Sequence, residues 1–544
     1  MNFRENESPT KLRGGYYTDP EVAAFLARWV LETAPRSVLE PSCGDGVFLA
    51  ALAGLRPRGL RRVVACEWDA REAAHARGRP APPGARVEVL HTEFLAWSLR
   101  QPEALPFDAV LGNPPFIRYQ YLDPAVQGRS EEIFRRHRLH FTRHTNAWVP
   151  FVIASLARLR PGGRLGMVVP AELLHILHAQ SLRDHLAATC RRVLVIDPED
   201  LWFARALQGV VLLLAEKRRE RERAPGRIAI LPTVDRSLLA RPPGELSAQA
   251  AWSDARRLAG GKWMRALLGE REQTLLASLA AHPSVSRFAD VAEVDVGIVT
   301  GANAFFLVDE ETVERHALRA RAHPMFGRSG HARGVVFGRA DHACNAAAGR
   351  RCHFLWFEKE DARTLPAAAR AYLAAGEKHG LHGRYKCRIR SPWYRVPSVW
   401  PSPVSMLKRA HHFPRLLLNR ARALSTDTAY RITPRRVSAT ALVAGFVNSL
   451  TLVSAELEGR HYGGGVLELV PSEIERLPVV APAGDARRVL RQLDREVRAG
   501  GDPLALLERQ DDRVLGARGI GSEDAALLRD AWGALRARRQ RRAP

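Results

Sequence analysis

Between Ser37 and Leu49 the chain reads Ser-Val-Leu-Glu-Pro-Ser-Cys-Gly-Asp-Gly-Val-Phe-Leu. An apolar strand ends on an acid, turns through Gly44 and Gly46, and enters a helix. Open α/β sheets bring backbone close to a ligand at the carboxyl ends of their strands in this way. A dinucleotide site wants a third glycine and a helix start free for pyrophosphate. Here the third glycine is missing, and Glu40 and Asp45 would repel phosphate. The stretch therefore points to a neutral or cationic nucleoside.

Three further strands follow at the spacing of such a sheet. Arg62 to Trp68 ends in Glu67-Trp68, where the carboxylate can accept both ribose hydroxyls and the indole can pack on a purine. Val87 to Leu90 leads to Thr92-Glu93-Phe94, whose Glu93 and Phe94 are expected to hold the purine edge. Phe107 to Leu111 stops at Gly112-Asn113-Pro114-Pro115-Phe116. The two prolines fix two φ angles and remove two N–H donors, so the turn presents carbonyls and the Asn113 amide with little freedom. Such a polar clamp suits a planar substrate with an exocyclic amino group. Asn113 and the Pro114 carbonyl each accept one hydrogen, and Phe116 stacks on the ring.

Upstream, Gly14-Gly15-Tyr16-Tyr17-Thr18-Asp19-Pro20 leads into an amphipathic helix expected over about 21–32, capped by Thr18 or Asp19. Downstream, an apolar helix from Asn146 to Leu159 breaks at Pro161-Gly162-Gly163. Strands follow at 164–170, 193–197 and 209–215. Strands alternating with helices, closed by a hairpin-like pair, predict a seven-stranded, mostly parallel sheet over residues 1–217.

In its order of motifs this stretch resembles the adenine-N6 DNA methyltransferases of the gamma arrangement, the TaqI-like modification enzymes. The resemblance covers residues 14 to about 217. It implies a Rossmann-like catalytic domain and an S-adenosyl-L-methionine pocket lined by Tyr17, Thr18, Glu40, Pro41, Ser42, Gly44, Gly46, Glu67, Trp68, Glu93 and Phe94. Asn113, Pro114, Pro115 and Phe116 become the catalytic turn. Phe203, in Asp200-Leu201-Trp202-Phe203, resembles the aromatic that sandwiches a flipped-out base with Phe116. The implied substrate is double-stranded DNA, with a separate restriction endonuclease as a candidate partner of a monomeric enzyme. Asp19 stands where the family often has proline, and Phe116 where tyrosine is commoner. A release-factor-type glutamine methyltransferase or an RNA adenine methyltransferase would use a similar turn. A bifunctional restriction-modification enzyme is a further alternative, but none of the seven lysines has an acid two residues before it, as a common nuclease triplet would require.

The second half changes character. Residues 218–285 are rich in Arg, Ala and Pro and read as a linker with some helix. Residues 286–482 alternate short strands and turns, as in Val294 to Asn303, and read as an α+β target-recognition domain. Residues 483–544 read as helices with a basic tail. Between Arg384 and Arg436 thirteen Lys/Arg face one acid, Asp427, a surplus of twelve and half of the net charge of +24. Aromatics are interleaved. Cations for phosphates with forked arginines and rings for base edges mark a sequence-reading surface. Its expected members are Arg384, Lys386, Arg388, Arg390, Trp393, Tyr394, Lys408, Arg409, Arg420 and Arg422.

The six cysteines form no disulfide framework, as in a reducing cytoplasm. His342, Cys344, Cys352 and His353 fit no standard zinc spacing, so no metal is expected. With no signal-peptide core and no apolar run of spanning length, the expectation is a soluble cytoplasmic protein without membrane contact.

Overall fold

The computed structural model describes residues 18–101, 106–198, 209–233, 235–358, 361–462 and 465–540. Tyr17 and Phe203 lie outside them. The chain forms two compact units, the first running to Gly269 and the second from Glu270 to Gln540.

The first unit is built on nine strands: β1 Ser37–Glu40, β2 Arg62–Glu67, β3 Arg86–His91, β4 Phe107–Gly112, β5 Leu159–Pro170, β6 Cys190–Pro198, β7 Val210–Lys217, β8 Arg227–Thr233 and β9 Ser253–Asp254. They form one sheet in the order β3-β2-β1-β4-β5-β7-β6-β8-β9. Strands β3, β2, β1, β4 and β5 are parallel neighbours, while β7 runs antiparallel to both β5 and β6. The seven expected strands are present with two more. Strand β8 joins parallel to β6 and β9 antiparallel to β8. Both come from the stretch read as a linker. Up to Gly269 that stretch belongs to the first unit, with Ile228, Ala229 and Ile230 buried, and its remainder belongs to the second. The Pro161-Gly162-Gly163 break also falls inside a strand. Phe107 is opposite Leu159 and Ala109 opposite Arg164, so the intervening residues bulge out of β5.

Four helices bear on the site: α1 Pro20–Leu31, α2 Val47–Leu55, α3 Ala70–Arg77 and α4 Phe94–Arg100. Helix α1 starts at Pro20, and its N-cap is Asp19, whose carboxylate accepts from Glu21 N at 2.9 Å. Its inner face, Val22, Phe25, Leu26, Trp29 and Val30, is buried, each such side chain contributing about 1.5–3 kcal/mol. The Trp29 indole donates to the Leu165 carbonyl of β5 at 3.1 Å. This anchors the segment entering α1 against the sheet.

The second unit is α+β. A five-stranded sheet contains Ala292–Val296, Ala429–Pro434, Val404–Leu407, Leu416–Asn419 and Val336–Phe337, in that spatial order. Leu307–Val308, His353–Leu355 and Ala322–Pro324 form a smaller sheet, with His353–Leu355 central. The C-terminal helices Ala486–Ala499, Pro503–Val514 and Ser522–Arg539 belong to this unit. Arg539 is not a solvent-facing part of a basic tail, because its guanidinium is buried against the Glu456 carboxylate at 2.8 Å. No single helix among the described residues is long and apolar enough to cross a membrane.

Candidate functional site

Strand order decides where a ligand can sit. From β1 the chain builds outward through β2 to β3, and from β4 it builds the other way through β5. The crevice of an open α/β sheet lies at such a reversal, beyond the carboxyl ends of the two central strands. Glu40 ends β1, and Asn113 follows β4. The two strands are adjacent, with Leu39 opposite Val110. Gly112 permits the close approach, since a Cβ there would stand 3.3 Å from Pro41 Cδ.

The loop after β1 is shaped by its glycines. Gly44 and Gly46 have φ of +51° and +85°, and a Cβ on Gly46 would meet Arg79 Cγ at 2.8 Å and the Ala76 backbone at 3.1 Å. Glu67, at the end of β2, holds this loop: its carboxylate accepts from Gly44 N and Asp69 N, each at 2.8 Å. Each oxygen keeps a second lone pair, as binding a diol requires. Beside it Trp68 is 63% exposed, an open ring next to that carboxylate. Asp45 pairs with Arg79 at 2.9 Å.

Glu40 is the electrostatic centre of the site. It is 1% exposed, and neither carboxylate oxygen has a hydrogen-bond partner among the described residues. Burial, with Glu67 and Asp45 nearby, pushes its carboxyl well above the ordinary range. A cationic group bound there would relieve both the burial and the repulsion. Burial pushes the neighbouring Cys66 thiol up to about 12 and raises that of Cys43, which disfavours the thiolate at both.

The Asn-Pro-Pro-Phe turn is held from two sides. Ser42 Oγ donates to the Asn113 carbonyl at 2.8 Å. Asn113 Nδ2 donates to Thr18 Oγ1 at 3.1 Å, which turns Oδ1 the other way. Because Asp19 caps α1, the Thr18 hydroxyl is available for this contact. Thr18, expected in the cofactor pocket, is thus placed on the Asn113 amide. Beyond the turn, Ala147 N donates to the Ile117 carbonyl at 3.0 Å and Tyr119 N to Asn146 Oδ1 at 3.1 Å. Asn146 Nδ2 donates to Glu172 Oε2 at 3.0 Å, completing a brace between residues whose spacing carries no signal. Phe116 is half-buried against the core.

Two expected pocket residues do other work. The Glu93 carboxylate caps α4, accepting from Leu95 N at 2.7 Å and Ala96 N at 2.9 Å, and pairs with Arg129 at 2.8 Å. It is engaged by the fold rather than open toward a purine edge. Phe94 is 1% exposed and packs on Phe151 with centroids 5.3 Å apart, so it is core rather than wall.

In the second unit the basic segment divides. Arg384, Lys386, Arg388, Arg409, Arg420 and Arg422 are exposed. Tyr385 is 64% exposed, with Lys386 and Arg388 over its ring at 5.5 and 5.6 Å. Trp393 and Tyr394, expected at the surface, are buried members of a core cluster with Phe305, Phe306 and Phe357. Alternating aromatic and basic residues cannot tell a reading surface from a core edge when non-local elements do the covering. Arg390 is tied to the Thr300 and Val299 carbonyls at 2.7 Å each. Lys408 and Arg409 pair with Glu468 at 3.3 and 2.7 Å.

Comparison with known proteins matches both halves of the chain. Residues 85–201 match the Eco57I restriction-modification methylase family, and residues 260–515 match the C-terminal domain of the type II methyltransferase M.Eco57I. The type II methyltransferase M.AccI of Acinetobacter calcoaceticus is 20% identical over 477 residues, covering 85% of this chain and 84% of its own length. M.TthHB8I of Thermus thermophilus is 32% identical over 183 residues, covering 32% of this chain and 38% of its own. Among solved structures, the type IIG restriction endonuclease BpuSI is 12% identical with a TM-score of 0.42, covering 96% of this chain and 67% of its own, too loose a likeness to carry an argument.

Proposed function

We propose that this chain, which belongs with the type II restriction-modification methyltransferases that use S-adenosyl-L-methionine, methylates the exocyclic N6 of an adenine flipped out of double-stranded DNA. The observation that carries the reading is the pairing of an uncompensated buried acid, Glu40, with the Asn113 turn across the sheet's reversal point. S-adenosyl-L-methionine supplies a methyl group activated by a sulfonium centre. Glu40, without a partner among the described residues, suits the cationic methionine end. Glu67 suits the ribose hydroxyls and exposed Trp68 the purine face.

The adenine amino nitrogen is a poor nucleophile because its lone pair is delocalised into the ring. Asn113 Oδ1 and the Pro114 carbonyl each accept one amino hydrogen. This draws the nitrogen toward tetrahedral geometry and restores its electron density without a strong base. Phe116, with Phe203, stacks on the base and offsets part of the few kcal/mol that unstacking costs. The exposed Arg384, Lys386, Tyr385 and Arg388 group grips the duplex.

A glutamine methyltransferase would share the turn. It would have no use for a second unit that matches the M.Eco57I C-terminal domain. Methylome sequencing of a host expressing the protein, beside Asn113→Ala, tests the reading. Methyladenine at one short motif, lost in the variant, is expected; cytosine marks, or none, overturn it. Removing the Asn113 acceptor costs roughly 2.7–4 kcal/mol, on the order of 100- to 1000-fold in rate.

A further inference from the structure

His342, Cys352 and His353 have no standard metal spacing, yet the second unit folds them onto one point: one ligand atom from each lies within 4.8 Å of the other two. His342 is on the helix Arg339–Ala347. Cys352 precedes, and His353 opens, the central strand His353–Leu355 of the small sheet. A turn through Gly349, with φ of +64°, folds the strand back on the helix. Cys352 is fully buried and His353 is 2% exposed, with the two imidazoles edge to face at 4.9 Å.

The outer nitrogen of each ring stands against an oxygen, in an ion-pair contact for His353 and a hydrogen bond for His342. His353 Nε2 stands 2.6 Å from Glu310 Oε2, and His342 Nε2 is 3.2 Å from the Cys352 carbonyl oxygen. An imidazole that binds a metal through one nitrogen almost always donates its other N–H to a carboxylate or a carbonyl. That leaves Nδ1 of each ring facing the role of ligand. His353 Nδ1 is buried with no hydrogen-bond partner among the described residues. The close Glu310 carboxylate gives Nε2 a charged neighbour, whereas Nδ1 has no hydrogen-bond partner among the described residues. Ligand atoms on one tetrahedral zinc stand roughly 3.3–3.6 Å apart, so the cluster is within side-chain adjustment of that shape.

We infer that Cys352 Sγ, His353 Nδ1 and His342 Nδ1 bind one divalent ion of the zinc class, with Glu310 orienting His353 and water in the fourth position. A mixed nitrogen and thiolate set selects a borderline-soft ion over magnesium or calcium. On binding, the Cys352 thiol releases its proton to solvent, and the ion fastens the helix Arg339–Ala347 to the three-stranded sheet. Cys344 takes no part. Two residues past His342 on a helix, it faces away and is exposed.

The test uses the full chain, stripped with a chelator and titrated with Co2+. Expected is one Co2+ per chain, with a near-ultraviolet thiolate-to-cobalt band that Zn2+ displaces. Cys352→Ser loses the band and Cys344→Ser keeps it. Glu310→Gln weakens Co2+ binding about 10- to 100-fold. Zn2+ raises the melting temperature of the wild type but not of His342→Ala, whose half-exposed side chain makes it the variant to use should Cys352→Ser fail to fold. No band in the wild type, a band that survives in folded Cys352→Ser, or one lost in Cys344→Ser overturns the site.

Discussion

Ser42 Oγ donates to the carbonyl of Asn113 at 2.8 Å, fastening the loop after one central strand to the turn after its neighbour. The two residues are 71 apart in sequence and, in the proposed reading, belong to the cofactor and substrate halves of the site. Loss of this bond therefore affects both. Ser42→Ala should lower kcat/KM for S-adenosyl-L-methionine roughly 2- to 12-fold, the worth of a hydrogen bond of about 0.5–1.5 kcal/mol, while Ser42→Thr restores it. Steady-state kinetics on a methylatable duplex checks this; an unchanged kcat/KM would disconnect the bond from the reaction.

Thr18 orients the Asn113 amide by accepting from Nδ2. Thr18→Val, nearly the same in volume, removes the acceptor and lets the amide rotate. Activity should fall by about tenfold. The effect should appear in kcat, with KM for S-adenosyl-L-methionine little changed. A rise confined to KM for the cofactor would put Thr18 back in the cofactor pocket.

Glu40 makes a pH-dependent prediction. Burial, then Glu67 and Asp45, hold its carboxyl well above its ordinary value of 4.5. Such a group keeps its proton more tightly in the folded chain than in the unfolded one. The cofactor-free protein therefore loses stability as pH rises from about 4.5 toward the raised value. Glu40→Gln stays neutral and escapes that loss. Without cofactor the variant should melt above the wild type at neutral pH and converge with it as pH falls to about 4.5. Added S-adenosyl-L-methionine should raise the melting temperature of the wild type more. A variant that melts lower at neutral pH while keeping its cofactor-induced shift would contradict this account.

The basic segment separates into core and surface by mutation. Trp393→Ala empties a packed site and should cost about 3–5 kcal/mol in denaturant unfolding. Tyr385→Ala should leave stability within about 0.5 kcal/mol, yet weaken DNA binding roughly fivefold or more. Lys386→Ala should lower the slope of log affinity against log salt by about one. Equal stability losses at Trp393 and Tyr385 would mean the two rings are not on opposite sides of the surface.

Much of the first unit was legible from residue order because its signals are local. A strand that ends on an acid, a pair of left-handed glycines and a double-proline corner set their own backbone geometry before anything packs on them. They set Glu40, Glu67 and Asn113 at the strand ends, whereas the reversal between β1 and β4 comes from how the strands pair. Strand β8 escaped notice because its Arg- and Pro-rich surroundings mask a short buried run.

What tertiary structure alone decided is which side chains meet and which are covered. Phe94 and Trp393 read as ligand-facing rings and became core, because burial depends on elements far away in sequence. Glu93 turned its carboxylate onto its own helix. Thr18 reached Asn113 across 95 residues, and His342, Cys352 and His353 converged without any recognisable spacing. The sequence by itself determined the local turns that aim backbone and side chains at the strand ends, since those angles depend on neighbouring residues. Partnership and burial depend on contacts closed through space, which residue order does not record.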